Sequence, residues 1–392
     1  MDSLTALDVS CVNNRPDHQL DPPVLFIEQP NRHGGKIGHA ILNAERTLNA
    51  LSLPMIELLD QQLRRWAEDP ELILVVLKGA GQRAFCAGGD VVELYRSMIA
   101  HPDGPNPYAE AFFSREYRLD HLLHRYPKPL LCWGSGIVMG GGWGLMAGCS
   151  HRVVTPDSRL AMPEIRIGLY PDAGASWFLG QLPRQISLFL GLTGAPLNAS
   201  DARLLGVADH LLSRENQVEV EQRLQQTQWS QESTSSHQHL SALLAEIAGK
   251  QSAQPPESAT EKHQSLIHET CAATELAAVV EAILELPQHD PWLAGAVKNL
   301  REGSMISALL TWHQLREQPP ASLAGAFRQE LVLSLQCACQ HEFTEGVRAR
   351  LVERDQRPKW RYPSIRALPD RLLESFIEAP WPDGGHPLAD LN

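Results

Sequence analysis

The sequence predicts an α/β fold, and three observations carry that prediction. Short β-rich runs and an amphipathic helical stretch follow one another in the order β, β, α, β over residues 24–79. A strand, a glycine turn and a helix then succeed one another twice, after residue 79 and after residue 136. Ala/Leu-rich stretches of helical period fill the C-terminal part.

Taken in order, VLFIEQ (24–29) and KIGHAILN (36–43) are separated by Pro30, Asn31, Gly34 and Gly35, which predicts a strand pair joined as a hairpin. Between Pro54 and Trp66, residues Ile56, Leu58, Leu59, Leu63 and Trp66 fall at near-helical spacing, and Pro70 ends the helix before the apolar strand LILVVLKG (72–79). The turn GAGQRAFCAGGD leads into a helix beginning near Asp90, a residue type able to cap it. Residues 109–125 read as helix, PLLCWGSG (129–136) as a buried strand, and GGGWGLMAGCS (140–150) as a helix whose first turn is made of glycines. Extended structure resumes in HRVVTP (151–156) and SRLAMP (158–163).

Residues 213–265 are rich in Gln, Ser and Glu, and QSAQPPESATEK (251–262) has the composition of a linker. Helical period returns in 272–284, 293–318 and 322–338, ahead of a charged tail. The expected organisation is an N-terminal tail (1–23), a core domain with the active site (24–212), a polar helical or linker segment (213–265) and a C-terminal helical region with its tail (266–392).

At 392 residues the chain is long enough to bury a core without disulfides or metal. A net charge of -12 without any Lys/Arg run argues against nucleic acid as a partner. No window approaches the ~18 apolar residues a membrane helix needs. The start MDSLTALDVS lacks a basic region followed by an apolar stretch, so the reading is a cytoplasmic protein. The seven cysteines are scattered, without C-x-x-C pairs, which fits a reducing compartment and predicts no metal site; His237 and His239 lie in the polar stretch and read as a solvated face.

Two features could carry chemistry. Gly88 and Gly89 precede one helix and Gly140, Gly141 and Gly142 open another, so backbone N–H groups there can face a ligand with no Cβ in the way. Two such donors converging on one point make an oxyanion hole; the same glycines would equally serve tight helix packing. In MPEIRIGLYPDAGAS, Glu164 follows Pro163 and Asp172 follows Pro171 within an apolar loop, a setting that perturbs a carboxylate, although most acidic residues are surface groups. Ser135 lacks the first glycine of a G-x-S-x-G elbow, and Cys86 reads as a core thiol beside the first glycine turn. Neither a G-x-G-x-x-G nor a G-x-x-x-x-G-K-[ST] motif is present.

KGAGQRAFCAGGDV, GIVMGGGWGL and RLAMPEIRIGLYPDAGASWFLGQLP together resemble the enoyl-CoA hydratase/isomerase (crotonase) superfamily, and within it the 3-hydroxyisobutyryl-CoA hydrolase branch. EGVRARLVERDQRPKW (345–360) is similar to that branch's C-terminal signature. The resemblance implies a crotonase fold: repeated ββα units whose strands form two roughly perpendicular sheets, ringed by helices, with a helical C-terminal region. It implies that the N–H groups of Gly89 and Gly141 hold a thioester oxygen, that Glu164 and Asp172 are catalytic, and that Glu116 in FFSREY lines the acyl pocket. Backbone around Ala84 and Ala87, with Gly141, would lie along CoA. CoA would arrive as part of an acyl-CoA substrate, its phosphates met by a few local Lys or Arg, with no further cofactor. The implied assembly is a trimer or hexamer, and the implied pathway valine catabolism.

One departure bears on the reaction. Hydratases of this superfamily carry a first glutamate where this chain has Gly144, so hydrolysis of a short 3-hydroxyacyl-CoA thioester is the implied activity. Trp143, Tyr170, Ala173, Ala175 and Ser176 depart from the branch in ways that bear on acyl-group size. The competing readings are a hydratase or isomerase acting through a single carboxylate, and a non-catalytic acyl-CoA-binding member.

Overall fold

The structure is a computed structural model that describes residues 22–392 apart from 103, 231–232, 251–254 and 383. The expected N-terminal tail, but for its last two residues, lies outside the described residues with Cys11, as do the first four residues of the linker-like run.

Strands β1 (Val24–Pro30) and β2 (Lys36–Leu42) form the antiparallel hairpin, in register from Val24 opposite Leu42 to Pro30 opposite Lys36. Helix α1 (Leu53–Glu68) follows; Ser52 caps it by accepting from the Met55 N–H, Pro54 occupies its first turn, and Ile56, Leu59, Leu63 and Trp66 are buried. β3 (Leu72–Gly79), β5 (Leu130–Gly134), β7 (His151–Val154) and β9 (His210–Leu211) extend β2 in parallel, giving the six-stranded order β1-β2-β3-β5-β7-β9.

A second, three-stranded sheet holds β4 (Ala84–Cys86), β6 (Ile137–Met139) and β8 (Arg159–Ala161), all parallel. This small sheet positions the site. Cys86 pairs with Val138 and Met139 with Ala161, so the segments just past the three carboxyl ends emerge side by side. Those segments are Gly88–Gly89, Gly140–Gly141 and Pro163–Glu164.

Three helices complete the surroundings: α2 (Val91–Ala100), α3 (Pro107–His124) and α4 (Gly141–Ala147). Asp90 precedes α2 but makes no side-chain cap bond, contrary to the expectation; Asn106 does cap α3, accepting from the Ala109 N–H. Within 293–318 the predicted helical run is broken into Pro291–Arg301 and Met305–Trp312, because Ser304 caps the second helix by accepting from Ser307 N–H.

The central strands of the large sheet are buried on both faces. Val75 and Leu77 of β3 join the main core, while Leu74 and Val76 face the other way with Ile37, Leu131, Trp133 and Val153. That second face is covered by the polar stretch: helix Asn216–Gln226 supplies Val220 and Leu224, and helix Ser233–Lys250 supplies Leu240, Leu243, Leu244 and Ile247. On the opposite side the helix Leu323–Ala338 packs against α3, with the Phe327 and Tyr117 rings 5.8 Å apart.

Candidate active site

The two glycine turns meet. Gly88 (φ +101) and Gly140 (φ +52) adopt backbone conformations that favour glycine, and a Cβ on Gly88 would lie 3.7 Å from the Gly141 nitrogen. The Gly88 carbonyl accepts from Leu51 N–H at 2.8 Å, and Asp90 N–H donates back to Leu51 at 2.8 Å. In a trans peptide the N–H points opposite to the C=O, so this clamp turns the Gly89 N–H away from Leu51. The Gly140 carbonyl likewise accepts from Trp143 and Gly144 N–H, which leaves the Gly141 N–H directed out of the start of α4. Among the described residues neither N–H has an acceptor.

Around these amides stand carboxyl groups from three elements. Glu164 opens a short 3-10 turn, Glu164–Ile167, right after β8; a Cβ on Gly140 would lie 2.9 Å from its Oε1. Its Oε2 is buried without a hydrogen-bond partner among the described residues. Glu116, on the buried face of α3, reaches the same place, since its Oε1 occupies the space a Cβ on Gly141 would fill. Asp172 Oδ2 lies 2.7 Å from the Tyr117 hydroxyl, within hydrogen-bond distance. Glu164, Asp172 and Glu116 are only 5%, 6% and 2% exposed.

Burial therefore dominates their electrostatics. It holds Glu164 well above the ordinary carboxylate range, helped by the charges of Asp172 and Glu116. Glu116 is raised by burial, then by Asp172 and Glu330. Asp172 is pushed up to about 6 by burial, partly offset by the Tyr117 hydroxyl. The Cys86 thiol is fully buried and pushed up to about 12, which makes it a core group and no nucleophile.

Hydrogen bonds fix the backbone near Ala84 and Ala87. Ala84 C=O accepts from the Asn49 side chain and Ala87 N–H donates to Leu48 C=O, so these residues build the first glycine turn. Trp143 is buried with its ring 5.3 Å from that of Phe178.

Position 144 has no room for a side chain. A Cβ there would lie 2.7 Å from the Ala173 carbonyl oxygen, 2.8 Å from the Ala173 Cβ and 3.3 Å from Asp120 Oδ2. Ala173 is itself in the left-handed region (φ +54), so it cannot give way cheaply.

Sequence reasoning missed four residues of this cluster. Asp120, one helical turn after Glu116, is fully buried, neither oxygen has a partner among the described residues, and burial raises it well above the carboxylate range. Glu330, from the helix Leu323–Ala338, accepts from Gly174 N–H (2.7 Å), Ser176 N–H (3.0 Å) and Ser176 Oγ (2.5 Å) and so holds the turn after Asp172. Tyr117 and Ser334 complete the set. A signal existed: Glu116 and Asp120, and Glu330 and Ser334, are polar pairs four apart on otherwise apolar helix faces.

Residues 37–377 match the enoyl-CoA hydratase/isomerase family. The chain belongs to that family. Among curated relatives, 3-hydroxyisobutyryl-CoA hydrolase of Danio rerio is 35% identical over 351 residues, 88% of each chain. The Homo sapiens protein of the same name is 33% identical over 348 residues, 88% of this chain and 87% of that one. Among solved structures, an enoyl-CoA hydratase from Rhodobacter sphaeroides 2.4.1 superposes with a TM-score of 0.77 at 30% identity, over 91% of this chain and 97% of that chain. A carnitinyl-CoA dehydratase from Mycobacterium thermoresistibile does so with 0.78 at 32% identity, over 93% and 98%.

Family and fold are thus those the motifs implied. The cytoplasmic expectation is overturned: the curated hydrolase relatives are named as mitochondrial proteins. That reading rested on the first residues of the chain, which lie outside the described structure.

Proposed function

We propose that this chain hydrolyses a short 3-hydroxyacyl-CoA thioester, with 3-hydroxyisobutyryl-CoA as the preferred substrate and valine catabolism as its setting. The observation that carries the reading is the joint placement of two backbone amides, Gly89 and Gly141, beside the buried Glu164 carboxyl, with no acceptor for either N–H and no partner for Glu164 Oε2 among the described residues. The hydrolase names of the curated relatives support the acyl group. The solved relatives carry hydratase and dehydratase names, but the crowded Gly144 leaves no place for a second carboxylate from α4.

In this mechanism the thioester oxygen sits between the Gly89 and Gly141 N–H groups. As the carbonyl carbon is attacked, negative charge collects on that oxygen, and each fixed amide lowers the barrier by ~2.7–4 kcal/mol. Glu164 either attacks the carbonyl carbon directly or takes a proton from a water whose oxygen attacks it. Collapse of the tetrahedral intermediate breaks the C–S bond and expels the CoA thiolate; on the direct route this leaves an acyl–Glu164 anhydride that a water then cleaves, restoring the carboxylate, and on either route the thiolate takes up a proton that the water releases. Asp172 and Glu116 border the acyl group and accept from its 3-hydroxyl.

Release of free thiol from 3-hydroxyisobutyryl-CoA tests the proposal. Turnover with thiol release that is lost in Glu164→Gln supports it. Consumption of an unsaturated acyl-CoA without thiol release would replace it with hydration, and binding without turnover of any short acyl-CoA would make the chain a binding protein.

A further inference from the structure

Asp172 ends a chain of hydroxyl groups whose protons can be counted. Its Oδ2 is 2.7 Å from the Tyr117 hydroxyl, which is 2.7 Å from Ser334 Oγ. Ser334 Oγ is 2.7 Å from the Tyr170 hydroxyl, which is 2.6 Å from the Glu330 carbonyl oxygen. Tyr117, Tyr170 and Ser334 are all fully buried, so the run is closed to solvent.

Each hydroxyl supplies one proton, and a carbonyl oxygen supplies none. The last link takes the Tyr170 proton. Tyr170 must then accept from Ser334, and Ser334 must accept from Tyr117, which uses all three hydroxyl protons. The first link can be a hydrogen bond only if Asp172 brings the fourth proton. Were Asp172 ionised, Tyr117 would donate to it instead, and one oxygen pair 2.7 Å apart would face each other with no proton between them.

We propose that Ser334 and Tyr170 are positioning residues that keep Asp172 a neutral acid, protonated on Oδ2 and donating to Tyr117, so that the negative charge of the site falls on Glu164. The other Asp172 oxygen then faces the acyl group as an uncharged acceptor. This division rests on the hydrolase reading for its purpose, but not for its geometry.

Burial lifts Asp172 only to about 6 and Glu164 well above the carboxylate range, so it is the proton count, and not burial, that assigns the charge to Glu164. The titratable groups facing Asp172 are Glu116, Asp120 and Tyr117 from α3, Glu164 and Tyr170 from its own loop, and Glu330 and Cys337 from the helix Leu323–Ala338. None is a cation that would hold Asp172 ionised, and two like carboxyls in one buried site do best when only one is charged.

The test needs no substrate. Infrared difference spectra of the free protein, parent minus Asp172→Asn, isolate the Asp172 carboxyl band and its midpoint as pH is raised. Removing either inner hydroxyl leaves enough protons for every remaining link with Asp172 ionised. Ser334→Ala and Tyr170→Phe should therefore each lower the midpoint by about one pH unit, the equivalent of roughly one net hydrogen bond. Tyr117→Phe removes the side-chain hydroxyl that would donate to an ionised Asp172 and should not lower it. In turnover, Ser334→Ala should move the acidic limb of kcat/KM upward, because an ionised Asp172 makes Glu164 harder to ionise. An unchanged midpoint in both Ser334→Ala and Tyr170→Phe, or an Asp172 already ionised in the parent at mildly acidic pH, overturns the proposal. An absence of thiol release alongside the predicted midpoint shifts would instead remove the hydrolase reading and leave the proton arrangement standing.

Discussion

Gly144→Ala sets two known effects against each other. In the interior of α4, alanine is favoured over glycine by roughly 0.5–1 kcal/mol through backbone entropy alone. The packing runs the other way. The added Cβ would approach the Ala173 oxygen to 2.7 Å and the Ala173 Cβ to 2.8 Å, far inside van der Waals contact, with Asp120 Oδ2 at 3.3 Å behind them. Ala173 is poorly placed to retreat, since its left-handed backbone (φ +54) is followed by Gly174, whose N–H is bonded to Glu330. Overpacking of this kind costs typically 1–3 kcal/mol. The larger effect wins, and the variant should be destabilised by about 1–2 kcal/mol in urea unfolding. Because the displaced segment adjoins Asp172, kcat should fall as well. If Gly144→Ala proved more stable than the parent, the crowding argument against a second carboxylate at this position would be wrong.

Other outcomes follow from the same site. Glu164→Gln should retain acyl-CoA binding, read by isothermal titration, while kcat falls by about 10²–10⁴-fold. Ala173→Gly relieves a left-handed alanine and should alter stability by no more than about 1 kcal/mol, with any change toward greater stability, measured by denaturant midpoint. Stability should also fall as pH rises above neutrality. Asp120 is held above the carboxylate range by burial and by the charge of Glu116, so the folded chain keeps a proton that the unfolded chain releases. That contribution is complete below the unfolded carboxylate value and is lost as pH climbs toward the folded one. His39, His124 and His151, pushed down to about 4 by burial, oppose it only up to about pH 6.5. Above about pH 6.5, where the histidines no longer oppose it, the unfolding free energy should therefore drop with rising pH, by up to ~1.4 kcal/mol per unit for each carboxyl still protonated in the folded chain, and Asp120→Asn should flatten the drop.

The longer elements and the glycine turns were legible because their cause is local. Leu59, Leu63 and Trp66 declare α1 by spacing, and the glycines of 88–89 and 140–142 declare turns where side chains are unwelcome. β4 and β6 were not, because three residues beside a glycine turn cannot show a two-residue period. The stretch 213–265 reads as polar because each of its two helices is apolar on one face only; Leu240, Leu243, Leu244 and Ile247 become meaningful once the outer face of the sheet is there to cover. Distance along the chain hid the rest. Ser334 meets Tyr117 across 217 positions, and Glu330 meets Ser176 across 154, so no local pattern ties them to the loop of Asp172.

In the proposed mechanism two main-chain amides grip a thioester oxygen beside Glu164. A crystal structure of the Glu164→Gln variant with 3-hydroxyisobutyryl-CoA bound tests it most directly. The thioester oxygen should lie within about 2.7–3.1 Å of both the Gly89 and Gly141 nitrogens, with residue 164 against the carbonyl carbon. A thioester bound with its oxygen away from either amide, or with its carbon out of reach of residue 164, would contradict it.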